Sequence, residues 1–298
     1  MAEAVKDAKA VKAKKGASGK PDLATLLGFA LALGGILGGL LIEGGKIRDI
    51  LQFTAAMIVL GGTIGAVMIA TPMRVLKGAA HRLVGVFLDS SPSFSDLIDN
   101  LVGYATKARK GGLVGLEEDA QATSDPFLQK ALMLVVDGTD LQELRTMLEI
   151  DITLDEHHGE AEGKVFESAG GFSPTIGIIG AVLGLIQVMK NLANIDEVGH
   201  GIAVSFVATV YGVGAANLLF LPAAAKIKSA IQLETQRKEM ILEAVCGIIE
   251  GLNPKLIRSK LAGYTHSDPV KAKKPKAKAG DASSKVDDKP AAPVPAKA

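Results

Sequence analysis

The stretch from Phe172 to Pro222 constrains this chain more than any other. It holds two uncharged apolar runs, Thr175–Met189 and Gly201–Leu221, joined by a short polar link, Lys190–His200. With its uncharged flanks each run reaches about 20 residues, enough for a helix to cross a ~30 Å hydrocarbon layer. Neither interior carries Asp, Glu, Lys or Arg. Both carry glycines (Gly177, Gly180, Gly184, Gly212 and Gly214), with Gln187, Ser205, Thr209 and Asn217 as scattered polar groups. Small residues let helix backbones approach closely in lipid, and Gly180-x-x-x-Gly184 has the usual spacing. Pro174 is expected to open the first run and Pro222 to close the second. Because the runs form a hairpin, both prolines fall on one side of the membrane.

A second hairpin precedes it. Leu23–Ile42 is uncharged and carries Gly34, Gly35, Gly38 and Gly39 as two overlapping small-xxx-small pairs. A tight link, Glu43–Asp49, leads to a second expected span, Ile50–Ala70, with Gly61, Gly62 and Gly65 inside it and Pro72 after it. The mean hydropathy of +0.29 combined with 22% charged residues fits spans mixed with a polar domain. The single cysteine, Cys246, excludes an internal disulfide framework and suits a reducing compartment.

The loops set the topology. The links Glu43–Asp49 and Lys190–His200 are nearly balanced in charge. Most Lys and Arg lie in the N-terminus, the long segment after Pro72 and the tail after Pro222. The positive-inside rule then puts those three regions in the cytoplasm. The N-terminus, Met1–Lys20, has six lysines and few large apolar residues, which predicts disorder. The apolar run after it is long enough for a retained span rather than a cleaved signal. The tail beyond Tyr264, with eight lysines among Ala, Pro and Ser, predicts a solvated disordered end.

Between the hairpins no period-2 pattern occurs, so the domain is expected to be all helical. Arg74, Lys77, His81 and Arg82 begin an amphipathic helix, broken at Pro92-Ser93. Phe94–Lys107 carries Leu97, Ile98, Leu101 and Tyr104 at helical spacing. A break at Ala108-Arg109-Lys110-Gly111-Gly112 precedes Leu113–Gln121. Asp125 before Pro126 reads as a helix cap, and Asp140-x-x-Glu143 resembles a capping box. Ala223–Leu252 continues out of the last span, with Lys226, Lys228, Arg237 and Lys238 expected at exposed positions. Asn253-Pro254 stops it, and a short helix, Lys255–Gly263, follows. The fold class is therefore an all-α polytopic membrane protein with four transmembrane helices and a helical cytoplasmic domain. Its parts are 1–22 (disordered), 23–71 (first hairpin), 72–171 (cytoplasmic domain), 172–222 (second hairpin), 223–263 (C-terminal helices) and 264–298 (disordered tail).

No enzyme chemistry can be assembled. His157-His158 lie among acids but lack the H-E-x-x-H spacing, and adjacent helical residues face different ways. Gly111-Gly112 matches neither a P-loop nor a dinucleotide fingerprint. A metal site, a cofactor and nucleic-acid binding are not expected. More telling, the four spans carry no carboxylate. An ion crossing a bilayer needs an ionisable or carbonyl-lined station at depth. If this protein conducts, the titrating group must come from another chain. Thr209 either lines that path or bonds back to its own helix.

The two hairpins and the motifs within them resemble the flagellar motor stator subunits of the MotA/PomA family. The motifs are Gly61-Gly62-Thr63-x-Gly65; Ala108-Arg-Lys-Gly-Gly-Leu-x-x-Leu-Glu-Glu118; Pro174-x-x-Gly-x-Ile-Gly-x-x-x-Gly-Leu185; Ala208-Thr-x-Tyr-Gly-x-Gly-x-Ala-Asn217 with Pro222; and Glu250-Gly-x-Asn-Pro-x-x-Ile257. The resemblance covers about residues 22–264 and leaves out both lysine-rich ends. It implies a ring, described as a pentamer, around a dimer of MotB-like peptidoglycan-binding chains in the bacterial inner membrane. The partner supplies the essential Asp, and ion flow turns the ring against the flagellar rotor. The resemblance further implies rotor-facing charges at Arg109, Glu117 and Glu118, coupling prolines at Pro174 and Pro222, and a pore-facing hydroxyl at Thr209. It bears on the ion too. Sodium-driven members carry Thr seven residues after the third-span proline and proton-driven members usually Ala; here that residue is Ala181. A proton is therefore expected rather than sodium. The related ExbB/TolQ energisers share the pore hairpin but usually have one span before the domain, not two. A non-conducting membrane scaffold is the reading from a different class.

Overall fold

The computed structural model describes residues 20–86, 88–89 and 93–265. The two predicted disordered ends lie almost wholly outside these residues, as does Pro92. Ten α-helices organise the described chain: α1 Leu23–Ile42, α2 Ile47–Ile50, α3 Phe53–Ala70, α4 Met73–Val86, α5 Phe94–Gly111, α6 Glu117–Ala122, α7 Pro126–Val136, α8 Leu141–Lys190, α9 Ile195–Ile249 and α10 Pro254–Leu261. Among the described residues the only strand pairing is two residues long, Lys20–Pro21 (β1) against Leu88–Asp89 (β2).

Four helices, α1, α3, α8 and α9, are long and apolar enough to span a membrane. α8 and α9 run 50 and 55 residues, so they reach about 75 and 80 Å at 1.5 Å per residue. Each crosses the bilayer with one end and forms the spine of the water-exposed domain with the other. No break falls at 171/172 or 222/223, where sequence reading divides the chain. Pro174 lies inside α8 rather than opening it. Pro222 lies inside α9, two residues after a five-residue π-helical turn, Ala216–Phe220. A proline removes one backbone donor and crowds the preceding turn. A π turn is one way a helix absorbs that without ending.

The α8–α9 link is also shorter than its polarity suggests. Asn191–Asn194 connects the helices, and Asp196, Glu197 and His200 belong to the first turns of α9. The Asn194 side chain caps that helix by accepting from the Asp196 amide at 3.2 Å. The second span begins at Phe53, after a non-helical break at Leu51–Gln52, and not at Ile50.

In the spans, α8 and α9 meet along a face of small residues. Ser173, Gly177, Gly180 and Gly184 of α8 pack on Gly201, Ser205, Ala208 and Gly212 of α9, and all eight are buried. A Cβ added to Gly212 falls 2.7 Å from the Ser173 carbonyl oxygen, and one on Gly184 falls 2.8 Å from that of Gly201. The backbones are thus in contact. α3 lies against this pair, with Ala55 and Val59 on Val207 and Ala208. α1 has no buried residue; its base is fixed by Lys226, which donates to Asp22 and Thr25. The ammonium and the Thr25 hydroxyl hold the Asp22 carboxyl down at about 2.

The extramembrane core joins α5, α7, α10 and the outer halves of α8 and α9 around Leu101, Leu132, Leu144, Leu148, Ile241 and Val245, all fully buried. Burying each such side chain stabilises by roughly 1.5–3 kcal/mol. Cys246 sits in this core, where burial pushes its thiol pKa up. The predicted cap at Asp125 forms, accepting from Phe127 N, and Ser93, read in the sequence only as a break, caps α5 by accepting from Asp96 N. Asp140 caps α8 through the Gln142 amide, without the reciprocal Glu143 bond of a capping box among the described residues. α9 ends at a Schellman turn, with Gly251 at φ 68° and the Leu252 amide on the Gly247 carbonyl, before Asn253-Pro254 opens α10.

One expected surface residue is internal. Lys238 is only 7% exposed, pairs with Asp155 at 2.7 Å and lies 5.8 Å from the Phe127 ring centroid. Arg237 is half-buried against Asp125. The partners come from α7 and α8, so the sequence of α9 alone does not reveal them.

The tight seam yields a test. Gly212→Ala is expected to lower the thermal stability of the purified protein by about 1–3 kcal/mol, because the added carbon meets backbone rather than a movable side chain. Gly103→Ala in α5 meets nothing within 4 Å and is expected to be neutral or to stabilise by about 0.5–1 kcal/mol. Equal melting temperatures for Gly212→Ala and the parent would show that the helices do not touch there.

Candidate functional site: the α8–α9 hairpin and the domain tip

The candidate conduction site follows from the seam. In lipid a polar side chain must find an internal partner, and three hydroxyls on the hairpin do so. Ser173, fully buried, donates to the Gly212 carbonyl at 2.9 Å. The Ser205 hydroxyl lies 2.8 Å from the Ala181 carbonyl and 2.9 Å from that of Gly201. Thr209, half-buried, donates back to the Ser205 carbonyl at 3.2 Å. Of the two sequence readings for Thr209, the bond to its own helix is the one its proton makes. Its oxygen lone pairs remain able to accept from water or a partner.

Thr209 and Ala181 come to one level of the hairpin. They are linked through Ser205, whose carbonyl takes the Thr209 hydroxyl and whose own hydroxyl reaches the Ala181 carbonyl. Ser205 stands in the sequence as one polar group among several, and nothing local marks it as the connector. Ser173 was legible only by register: it shares the i, i+4, i+7, i+11 face of Gly177, Gly180 and Gly184.

The prolines also come together. Pro174 has no N–H for the carbonyl of Gly170. Gly170 packs so closely on Leu221, the neighbour of Pro222, that an added Cβ would lie 2.5 Å from Leu221 Cδ2. Ser173, the residue before Pro174, engages Gly212, whose carbonyl also accepts from Ala216 at the start of the π turn. Both weakened helix segments thus share one contact zone where the spans leave the membrane. Pro174 is half-buried and Pro222 exposed.

The charged site lies elsewhere, on the extramembrane domain. Arg109 closes α5, Gly112 turns the chain at φ 79°, and a 3-10 turn, Leu113–Leu116, leads to Glu117 and Glu118 at the start of α6. The positive φ favours glycine, which explains the break. Leu116 anchors the turn in the core, fully buried. Arg109, Glu117 and Glu118 are exposed, and none makes an ion pair among the described residues. Lys107 instead pairs with Asp119 at 2.8 Å, and that hydrogen bond raises the ammonium pKa. Acids at a helix N-terminus are favoured by its dipole, so Glu117 and Glu118 support α6 as well as face solvent. Arg109 and the two glutamates flank one surface loop, far along the chain from Thr209 and the prolines. The structure therefore separates a membrane site from a charged tip, with the uninterrupted helices α8 and α9 between them.

Comparison with known proteins places this arrangement. Residues 26–112 match the motility protein A N-terminal family and residues 119–240 match the MotA/TolQ/ExbB proton channel family. Motility protein A of Helicobacter pylori is 34% identical over 243 residues, spanning 82% of this chain and 95% of the relative. The solved C. jejuni MotAB structure aligns with a TM-score of 0.80 at 33% identity, over 83% of this chain and 98% of that one. The flagellar MotAB stator complex of Bacillus subtilis aligns with a TM-score of 0.77 at 32% identity, over 83% and 97%. With two hairpins, a helical domain between them and similarity along most of its length, this chain belongs to the motility protein A branch of the MotA/TolQ/ExbB proton channel family.

Proposed function

We propose that this chain is the ion-conducting stator subunit of a bacterial flagellar motor and that it carries protons along a path completed by a MotB-like partner. The observation that carries the reading is the pairing of conducting architecture with missing chemistry. The hairpin offers hydroxyls and carbonyls at Thr209, Ser205 and Ala181, yet no span holds a carboxylate. A proton path needs a titrating station at depth, so a second chain must bring it. Related chains solved as MotAB support such a partner. α1, which has no buried residue, and the exposed apolar side chains of α8, among them Ile178, Val182 and Leu185, support assembly with further copies in a ring, expected to be a pentamer. In this reading the chain is not an enzyme. It sits in the inner membrane with both termini cytoplasmic, as its loop charges favour.

Proton movement at the hairpin acts on the zone where Gly170 meets Leu221. The two proline-weakened segments let the spans shift against the domain, and α8 and α9 carry that shift to the tip. There Arg109, Glu117 and Glu118 push on the rotor electrostatically.

Three experiments test this reading. In a strain lacking this gene, complementation with the parent is expected to restore swimming. The variant Arg109→Glu with Glu117→Lys and Glu118→Lys is expected to abolish swimming while membrane levels stay normal. Normal swimming by that variant would remove the rotor assignment. Pro174→Ala and Pro222→Ala restore a backbone donor and stiffen the helix. Each is expected to assemble but swim more slowly, and wild-type speed from both would leave the prolines no coupling role. For the ion, a sodium ion must replace its hydration shell with several oxygens, and Ala181 offers no hydroxyl where few are present. Swimming is expected to be insensitive to external sodium at fixed pH and to stop with a protonophore. Speed that rises with sodium and survives the protonophore would overturn the proton assignment.

A further inference from the structure

The break at Leu51–Gln52 is closed along the chain only by short-range bonds, the Leu51 amide to the Arg48 carbonyl and the Gln52 amide to the Ile50 carbonyl, both at 3.2 Å. It lies beside the spans, where non-helical chain is tolerated only if protein or water satisfies it. Leu51 has φ −86° and ψ 87°, Gln52 has φ −119° and ψ 113°, and no side chain caps the start of α3. One side chain from another span reaches the gap. The Tyr211 hydroxyl donates to the Ile50 carbonyl at 2.5 Å and accepts from the Gln52 amide at 3.3 Å. It thereby holds both sides of the break. Ile50 and Tyr211 pack together on the cluster of Ala55, Val59, Val207 and Ala208, so the ring is seated as well as bonded.

The rest of the bundle makes this contact consequential. The α8–α9 seam is built from glycine, alanine and serine, so few side chains interlock to fix how α9 is turned. Among the described residues, the hydrogen bonds that join α8, α9 and the first hairpin to one another are Ser173 to Gly212, Ser205 to Ala181, the two Tyr211 bonds and, at the base of the bundle, Lys226 to Asp22 and Thr25. Two residues of α9 tie it to the first hairpin: Lys226, which reaches Asp22 and Thr25 at the base of α1, and Tyr211, which alone of the two lies in the apolar stretch beside Thr209. Tyr211 and Thr209 are two residues apart, about 200° around the helix. Fixing Tyr211 against α3 thus fixes where Thr209 points.

We propose that Tyr211 is a positioning residue for the conduction path, its hydroxyl latching the α2–α3 break to the fourth span and so setting the rotation of α9. The functional half of this proposal rests on the stator reading; the latch itself does not. The bond is to backbone, since the Gln52 side-chain oxygen is buried without a hydrogen-bond partner.

The test is amide hydrogen exchange on the full chain with its partner in lipid nanodiscs, read in parallel with swimming. Tyr211→Phe keeps the ring and removes the hydroxyl. Exchange across residues 47–56 is expected to quicken about tenfold, on the scale of one to two lost hydrogen bonds, with α8 and the extramembrane core unchanged. Swimming is expected to slow at normal membrane levels. Gln52→Leu keeps the backbone donor and is expected to match the parent in exchange. Unchanged exchange in Tyr211→Phe, or loosening by Gln52→Leu as large as by Tyr211→Phe, would overturn the latch. Faster exchange with parental swimming would overturn the positioning role. If Tyr211→Phe does not accumulate, the parent decides. Protection at residues 50–55 close to that of the α8 interior supports the latch; exchange as fast as that of the 43–46 link overturns it. Failure of the parent itself to restore swimming would remove the stator reading and leave the exchange result standing.

Discussion

Backbone-to-backbone contact between α8 and α9 is the constraint on which the rest of this structure depends. In lipid the hydrophobic effect does not drive helices together, so close approach and a few hydrogen bonds must. Gly177, Gly184, Gly201 and Gly212 let the two backbones touch, and serine hydroxyls at each end of the seam reach across. This is also why both helices run on far beyond the membrane. A pair held so close in the bilayer emerges already aligned, and Phe166, Ala169, Ala224 and Ile227 continue the contact as an ordinary apolar core. Continuity through Pro174 and Pro222 then costs one lost donor each, a loss the surrounding packing outweighs.

How much of this was legible depended on whether a feature was local. Leu23–Ile42 is a span by its own composition, and its boundaries in the structure are those the sequence predicts. The cap at Asp125 and the break at Gly112 are set by neighbouring residues and were equally readable. The prolines misled, because proline is most often a helix end. Whether it ends or only weakens a helix depends on what packs around it, here Gly212 and Leu221 from distant sequence. Lys238 misled for the same reason. A lysine on a polar-looking helix reads as exposed until Asp155 and Phe127 arrive from other helices.

The candidate site was readable in its parts and not in its connections. Thr209, Ala181, Arg109, Glu117 and Glu118 stand out by type and motif. That Ser205 joins the first two, and that Ser173 sits between Pro174 and Gly212, follows only from the pairing of two helices. Pairing register is not written in either run alone, since glycine faces of this kind fit one another at several offsets. The serines select one of them, because each hydroxyl must find a carbonyl or remain unsatisfied in hydrocarbon.

The smoothness of the seam has a mechanical side. Interlocked leucines would resist any turn of α9 against α8 with their full packing energy, because well-packed cores are bistable rather than continuously deformable. Glycine and alanine present shallow relief, so small rotations cost mainly the hydrogen bonds that cross the seam. A net hydrogen bond contributes about 0.5–1.5 kcal/mol, within reach of one elementary charge moving through a membrane potential, about 2.3 kcal/mol per 100 mV. The energy of a single ion transfer is therefore of the size needed to break and remake one contact such as Ser173 to Gly212. The deep core around Leu144, Leu148 and Val245 is held by much larger burial and resists such deformation. The chain thus places its soft contacts at the spans and its stiff ones in the domain, the distribution that the proposed transmission from Thr209 to Arg109 calls for.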